Sequence, residues 1–262
     1  MAAAETPGIR SELLEDGRVL RILLDQPKGN VLTGVMMDAL RAQLESHVAA
    51  PELQLVVIRG AGGNFSYGAS VPEHQKQQAA QMLRSFHAMA RSIAGCPVPV
   101  AALVEGKCLG GAFELALCCH LVFTSPNAVF ACPEVKLGVF PPVLAALGAQ
   151  RLGAPTAERL LLTGGELDAR AAHALGWVSA ILDGDPEQKL LEWYRTNLQP
   201  LSAFTLRQAT RAMRVDSGWL AQFSAALEAA ERRYVDHLLP SHDGNEGIDA
   251  FLARRPPQWR NA

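Results

Sequence analysis

Val100-Ala101-Ala102-Leu103-Val104-Glu105-Gly106-Lys107-Cys108-Leu109-Gly110-Gly111-Ala112-Phe113-Glu114 passes from an unbroken apolar run through a glycine-rich turn into a segment whose one charge is a carboxylate. A short apolar run bounded by turn residues reads as a strand covered on both faces. The apolar stretch from Phe113 to Cys119 that follows reads as a buried helix. Leu55-Val56-Val57-Ile58-Arg59-Gly60-Ala61-Gly62-Gly63-Asn64-Phe65-Ser66-Tyr67-Gly68-Ala69-Ser70 repeats the design. Two buried strands, each running into a glycine turn that opens a helix, predict an α/β domain with covered sheets.

The same logic extends outward from these two stretches. Upstream, Ser11 to Leu14 and Val19 to Leu24 flank Asp16-Gly17, a dipeptide that tolerates positive φ and predicts a hairpin. Val35, Met36, Leu40, Leu44 and Val48 recur at helical spacing, as do Met82, Leu83, Phe86, Met89 and Ile93. Leu121 to Phe123 and Val129 to Ala131 read as strands, so stacked ββα units are expected. Past Trp177 to Ile181 the strand signal ends, and from Pro186 onward the pattern is helical, closing with a long stretch from Leu220 to Leu239. The expected division is a core over residues 1–198 and a helical oligomerisation region over residues 199–262. Those last helices carry more apolar surface than one small lobe hides, so docking on the main domain or on other subunits is expected, and an oligomer is predicted.

Composition narrows the function. At 262 residues, with 49% apolar and 19% charged side chains, the chain has the makeup of an ordered globular protein with one main core. A formal charge of −2 supplies no field that would gather nucleic acid or an anionic membrane, which favours small-molecule chemistry. Met1 to Pro7 lack the charged and apolar regions of a leader, so a cytoplasmic location is expected. Cys96, Cys108, Cys118, Cys119 and Cys132 form an odd set without CxxC spacing or His at metal-ligand intervals. They read as buried reduced thiols; neither a metal nor a cofactor is expected.

Glycine turns at helix starts leave backbone N–H groups unpaired, and two converging donors, at Ala69 and Gly111, would suit a developing oxyanion. Taken alone, glycine after a strand serves equally well as a simple bend. Gly106 to Gly111 lacks the Lys-Ser/Thr ending of a phosphate loop, and Gly60 to Gly63 lacks the third glycine of a dinucleotide fingerprint. Glu114 and Glu134 each stand in apolar company beside a glycine- or proline-containing turn. Burial raises the pKa of such carboxyls toward values useful for proton transfer, and two of them can form a general acid/base pair, although spacing alone also allows a structural role.

Ala101 to Gly106 with Leu109 to Ala116 resembles the signature of the enoyl-CoA hydratase/isomerase (crotonase) superfamily. So do Phe65 to Ala69, Pro133 to Gly138, and Leu162-Thr163-Gly164 with Ala169 to Val178; the likeness runs from the Asp25 to Asn30 turn to Phe251-Leu252-Ala253-Arg254-Arg255. The resemblance implies a ClpP-like spiral of ββα turns with a C-terminal helical trimerisation region, and trimers that often pair into hexamers. It implies an acyl-CoA substrate, an oxyanion hole from the N–H groups of Ala69 and Gly111, and Glu114 and Glu134 as the catalytic glutamates of a hydratase. Coenzyme A would lie against Lys28, Gly29, Asn30 and Val31, with Phe251 and Arg254 approaching the nucleotide end.

The chain also departs from the family pattern. Ser70 stands where Asp is common, Pro72 where a coenzyme-contacting Lys is common, and a bulkier, longer Phe140-Pro141-Pro142-Val143-Leu144-Ala145-Ala146-Leu147-Gly148 replaces a Pro-Gly-Ala-Gly-Gly run. An acyl pocket involving Ser70, His74, Phe140 and Pro142 is expected, although a His after Pro-Glu in a polar stretch also reads as a surface residue. Gly68 to His74 with Leu137 to Pro142 resembles the hydratases of cyclic dienoyl-CoA thioesters in anaerobic benzoyl-CoA degradation. That likeness implies cyclohexa-1,5-diene-1-carbonyl-CoA as substrate and 6-hydroxycyclohex-1-ene-1-carbonyl-CoA as product. Competing readings are a generic enoyl-CoA hydratase or isomerase, a C–C hydrolase of cyclic ketoacyl-CoA, and a non-catalytic assembly or RNA-binding protein on the same fold. His87 and His120 are expected to face neighbours, and Ser66 and Ser70 to serve hydrogen bonding or capping rather than nucleophilic attack.

Overall fold

The computed structural model describes residues 8–262; the leader reading of Met1 to Pro7 lies outside the described residues. Strand β1 (Ile9–Leu14) turns through Glu15, Asp16 and Gly17, all at positive φ, and returns antiparallel as β2 (Val19–Leu24). Helix α1 (Gly34–His47) starts where the Thr33 hydroxyl accepts the Met36 N–H. Strand β3 (Leu55–Gly60), helix α2 (Ala79–Ala94), strand β4 (Val100–Val104), the short β5 (Lys107–Leu109) and helix α3 (Gly111–Cys118) follow. Then come β6 (Leu121–Thr124), β7 (Val129–Ala131), α4 (Pro142–Leu152), α5 (Ala154–Thr163), β8 (Glu166–Asp168), α6 (Ala169–Ala174) and β9 (Ala180–Ile181).

The larger sheet has the order β1-β2-β3-β4-β6-β9, parallel from β2 onward, and the smaller one the order β5-β7-β8. Alternation along the strands splits the buried residues between two faces. Leu20, Ile22, Val56, Ile58, Val100 and Ala102 join the main core with α1, α2 and α3. Val19, Leu55, Val57, Ala101, Leu103 and Phe123 face the other way, where α7 (Pro186–Asn197) covers them with Leu190 and Tyr194. The Tyr194 hydroxyl donates to Gln54 Oε1 at 2.5 Å, so the polar tip of that ring is satisfied inside the layer. The architecture is the expected α/β stack of strand and helix turns.

Residues 199–252 are mostly helical, as expected, and they dock on the main domain. Helices α8 (Ala203–Arg211), α9 (Trp219–Arg233) and α10 (Asp243–Leu252) fold back on the core of the same chain. Phe223, Leu227, Tyr234 and Ile248 belong to the main core cluster. The long helical stretch from Leu220 to Leu239 is interrupted in kind: α9 passes into a π-helical turn over Tyr234–Leu238. The added residue in such a turn re-aims the side chains around it. The glycine stretch from Gly60 leads only into a 3₁₀ turn, Val71–His74, and α2 begins later, so only the Gly106 to Glu114 stretch opens directly into an α-helix.

Candidate active site

The two glycine stretches meet. Leu32 donates its N–H to the Gly68 carbonyl at 2.9 Å and accepts the Ser70 N–H at 2.9 Å, a parallel bridge that turns the Ala69 N–H away from Leu32. A Cβ built on Gly111 would lie 3.4 Å from the Ala69 nitrogen, so the two backbones touch at this point. Gly111 is the first residue of α3, where the N–H has no partner within the helix. Ala69 and Gly111 line one cleft together with Glu114 and Glu134. The sequence-predicted donors and carboxylates are thus brought to a single place.

Glu114, on the first turn of α3, is 3% exposed. Its Oε1 accepts the Val143 N–H at 2.6 Å and the Leu144 N–H at 3.0 Å. Both donors belong to the first turn of α4, which Pro142 begins without an N–H of its own. Burial pushes the Glu114 carboxyl above the usual range, and the two N–H bonds pull it partly back. Glu134 sits on the 3₁₀ turn Pro133–Leu137, and its Oε2 is closed off from solvent without a hydrogen-bond partner. Burial first, and then the charge of Glu114, push its carboxyl upward. Like charges in one apolar-walled cleft resist joint ionisation, which is why the charge of Glu114 adds to burial in raising the Glu134 carboxyl. Gly110, at φ +53°, is required here: a Cβ would stand 2.6 Å from Glu134 Oε1.

The walls are apolar. Met82, Leu83 and Phe86 come from α2, and Phe140, Pro141 and Pro142 from the segment before and into α4. Phe140 and Pro142 therefore line the same cleft as the two glutamates. His74 also lines the cleft, its Nδ1–H donating to the Ser70 carbonyl at 2.8 Å, which corrects its reading as a solvated surface residue. Burial lowers its pKa, so the ring is neutral. Ser70 does not line the cleft; its carbonyl anchors His74, and its own hydroxyl makes no cap bond. Ser66 Oγ accepts the Gly68 N–H at 3.0 Å, a structural role. His87 pairs with Glu231 and His120 accepts the Val100 N–H, both away from the cleft. All five cysteines are buried and free.

The Lys28 to Val31 turn lies beside this center. Tyr67 donates its N–H to the Gly29 carbonyl at 2.8 Å, and Asn30 Nδ2 donates to the carbonyls of Ala61, Asn64 and Phe65. Asn30 is buried and its side chain is spent on stitching the turn to the first glycine stretch, while Lys28 is exposed. Phe251 and Arg254 are exposed at the end of α10 and do not line the cleft. Sequence reasoning missed Tyr234, whose ring is 1% exposed and lines the cleft from the π-helical turn. It also missed the α4 N–H pair that holds Glu114.

Residues 15–262 match the family model described as enoyl-CoA hydratase/isomerase. The chain is 39% identical over 261 residues to the cyclohexa-1,5-dienecarbonyl-CoA hydratase of Thauera aromatica, with 100% of each chain covered. It is 32% identical over 251 residues to a probable enoyl-CoA hydratase of Rhizobium meliloti, covering 94% of this chain and 95% of the other. Among solved structures, an enoyl-CoA hydratase from Mycobacterium avium subsp. paratuberculosis superposes with a TM-score of 0.83 at 28% identity, over 97% of this chain and 99% of that one.

Proposed function

The chain belongs to the enoyl-CoA hydratase/isomerase family, and from that premise we propose that it hydrates a cyclic dienoyl-CoA, cyclohexa-1,5-diene-1-carbonyl-CoA, to 6-hydroxycyclohex-1-ene-1-carbonyl-CoA. That it is a hydro-lyase acting on an acyl-CoA thioester follows from the family and from relatives that are hydratases. The observation that carries the narrower reading is a glutamate pair, Glu114 buried and Glu134 half-buried, in a cleft walled by Phe86, Phe140, Pro141 and Pro142. Flat, stiff walls suit a ring better than a flexible acyl chain, and the Thauera aromatica relative is a hydratase of this cyclic substrate.

In this mechanism the thioester carbonyl accepts the N–H groups of Ala69 and Gly111, which form an oxyanion hole as charge moves onto oxygen. Glu114, whose anion the α4 N–H groups stabilise, takes a proton from water as the water oxygen bonds to the β-carbon. Electrons shift into a dienolate held by the two N–H groups. Glu134, which keeps its proton longer, delivers it to the far carbon of the conjugated system, a net 1,4-addition of water. Transfer of the captured proton from Glu114 to Glu134 resets the pair.

The coenzyme lies against Lys28 to Val31 in this reading, with Phe251 and Arg254 reaching the nucleotide from a neighbouring copy. Leu201, Phe204, Met213 and Val215 leave apolar surface exposed along residues 199–262, which supports self-association into trimers or hexamers. Among the described residues no helix is long and apolar enough to cross a membrane.

The test is a pair of substrates offered to the purified protein, the cyclic dienoyl-CoA and crotonyl-CoA, with products followed by mass and absorbance. Preferential hydration of the cyclic diene is the expected result. Preference for crotonyl-CoA would overturn the cyclic substrate and leave a hydratase of linear thioesters.

A further inference from the structure

Tyr234 carries a phenol that the family resemblance does not assign. Its ring is buried at the π-helical turn, its centroid 5.5 Å from that of Phe140, and it lines the same cleft as the glutamates. The hydroxyl is closed off from solvent and has no hydrogen-bond partner among the described residues. Burial, and then the charges of Glu134 and Glu114, hold its proton on. The phenol is therefore a donor and not a base. Glu134 Oε2, in the same cleft, is a buried acceptor that also lacks a partner.

An unsatisfied donor and an unsatisfied acceptor in one apolar-walled cleft cost free energy unless a guest supplies both complements. A hydroxyl group does so: its oxygen accepts one hydrogen bond and its hydrogen donates another. Resting on the hydratase reading above, we propose that Tyr234 is a positioning residue that donates its O–H to the oxygen of the incoming water and, after addition, to the hydroxyl of the product, while Glu134 Oε2 accepts from that oxygen. The site is thereby built to hold a hydroxylated acyl group in preference to the same acyl group without the hydroxyl. No bond is made or broken at Tyr234. Its contribution is to fix the oxygen on one face of the ring, at the distance from the β-carbon that attack needs.

The experiment compares native protein with Tyr234→Phe, which removes one oxygen and keeps the ring against Phe140. Binding is measured for two thioesters that differ by the hydroxyl alone, 6-hydroxycyclohex-1-ene-1-carbonyl-CoA and cyclohex-1-ene-1-carbonyl-CoA. The native protein is expected to favour the hydroxylated one, and the variant to lose about tenfold of that preference, the size of one hydrogen bond to an otherwise unsatisfied buried group. Hydration kcat is expected to fall about tenfold or more with KM for the diene within about twofold. The variant should melt no lower than the native protein, because the phenol oxygen has no partner to lose. A preference ratio unchanged by the substitution overturns the proposal, whatever happens to turnover or melting. If the native protein prefers crotonyl-CoA, the cyclic reading falls alone, and the ratio for 3-hydroxybutyryl-CoA over butyryl-CoA tests Tyr234 in the same way.

Discussion

Glu114 and Glu134 are the same residue type in the same cleft, yet they are held in opposite ways. Glu114 is clamped by two N–H groups at the start of α4, an arrangement that favours its anion. Glu134 rides a 3₁₀ turn with Oε2 unpartnered and a neighbouring carboxyl to raise its pKa further, an arrangement that favours its neutral form. In the mechanism proposed above, environment rather than residue type divides the work of base and acid between two chemically identical groups.

The largest break in that comparison comes from removing each carboxyl in turn. Glu114→Gln and Glu134→Gln are each expected to cut hydration kcat by roughly two to four orders of magnitude while leaving the affinity for an unreactive thioester near native. Because the two act on one water and one dienolate, the double variant should fall well short of the product of the single losses. Near-native turnover in either single variant, measured in steady state, would remove that glutamate from the mechanism.

Much of this site is legible before any coordinates. Gly111 and Glu114 are three residues apart at a helix start, and Ala69 ends a second glycine stretch, so local pattern alone brings out the donors and one carboxyl. The hairpin at Asp16-Gly17, the parallel core strands and the helices at 34–47 and 79–94 follow from periodicity because each buries a face. Strands β5 and β8 do not: each has three residues, and Glu166-Leu167-Asp168 offers one apolar side chain between two acids. Their existence is decided by pairing with β7, a contact made at long range. The α4 donors to Glu114 are backbone groups 29 and 30 residues away and leave no mark in side-chain pattern. Tyr234 was hidden by a helical period that a π-helical turn breaks. The side-chain partners of Asn30, the carbonyls of Ala61, Asn64 and Phe65 beyond β3, likewise leave no mark in the pattern of the Asp25 to Asn30 turn.

The pH profile sharpens the comparison with a smaller effect. A pair that works with one proton should give a bell-shaped kcat/KM, falling on the acid side as Glu114 gains a proton and on the alkaline side as Glu134 loses its own. In Glu134→Gln the alkaline limb should vanish from the residual activity. In Glu114→Gln the acid limb should vanish, and the alkaline limb should move down by about one pH unit, because the like charge that raised Glu134 is gone. An alkaline limb that stays in place in Glu114→Gln would mean that the two carboxyls do not sense each other.

The smallest effect is on stability, and its sign follows from the upward shifts. A carboxyl whose pKa is higher in the folded than in the unfolded chain binds its proton more tightly when folded. Stability therefore declines as pH rises from the unfolded value near 4.3 and levels off above the folded one. Glutamine never ionises and escapes that decline. Glu134→Gln is accordingly expected to unfold at higher urea than the native protein at pH 9, by about 1–3 kcal/mol, and to show little gain at pH 4. Glu114→Gln should gain less, because it gives up a charge-assisted clamp at Val143 and Leu144 that the native anion enjoys. Equal gains for both variants would contradict the unequal footing on which the two carboxyls stand, since only an uncompensated anion at Glu134 makes its removal the more favourable.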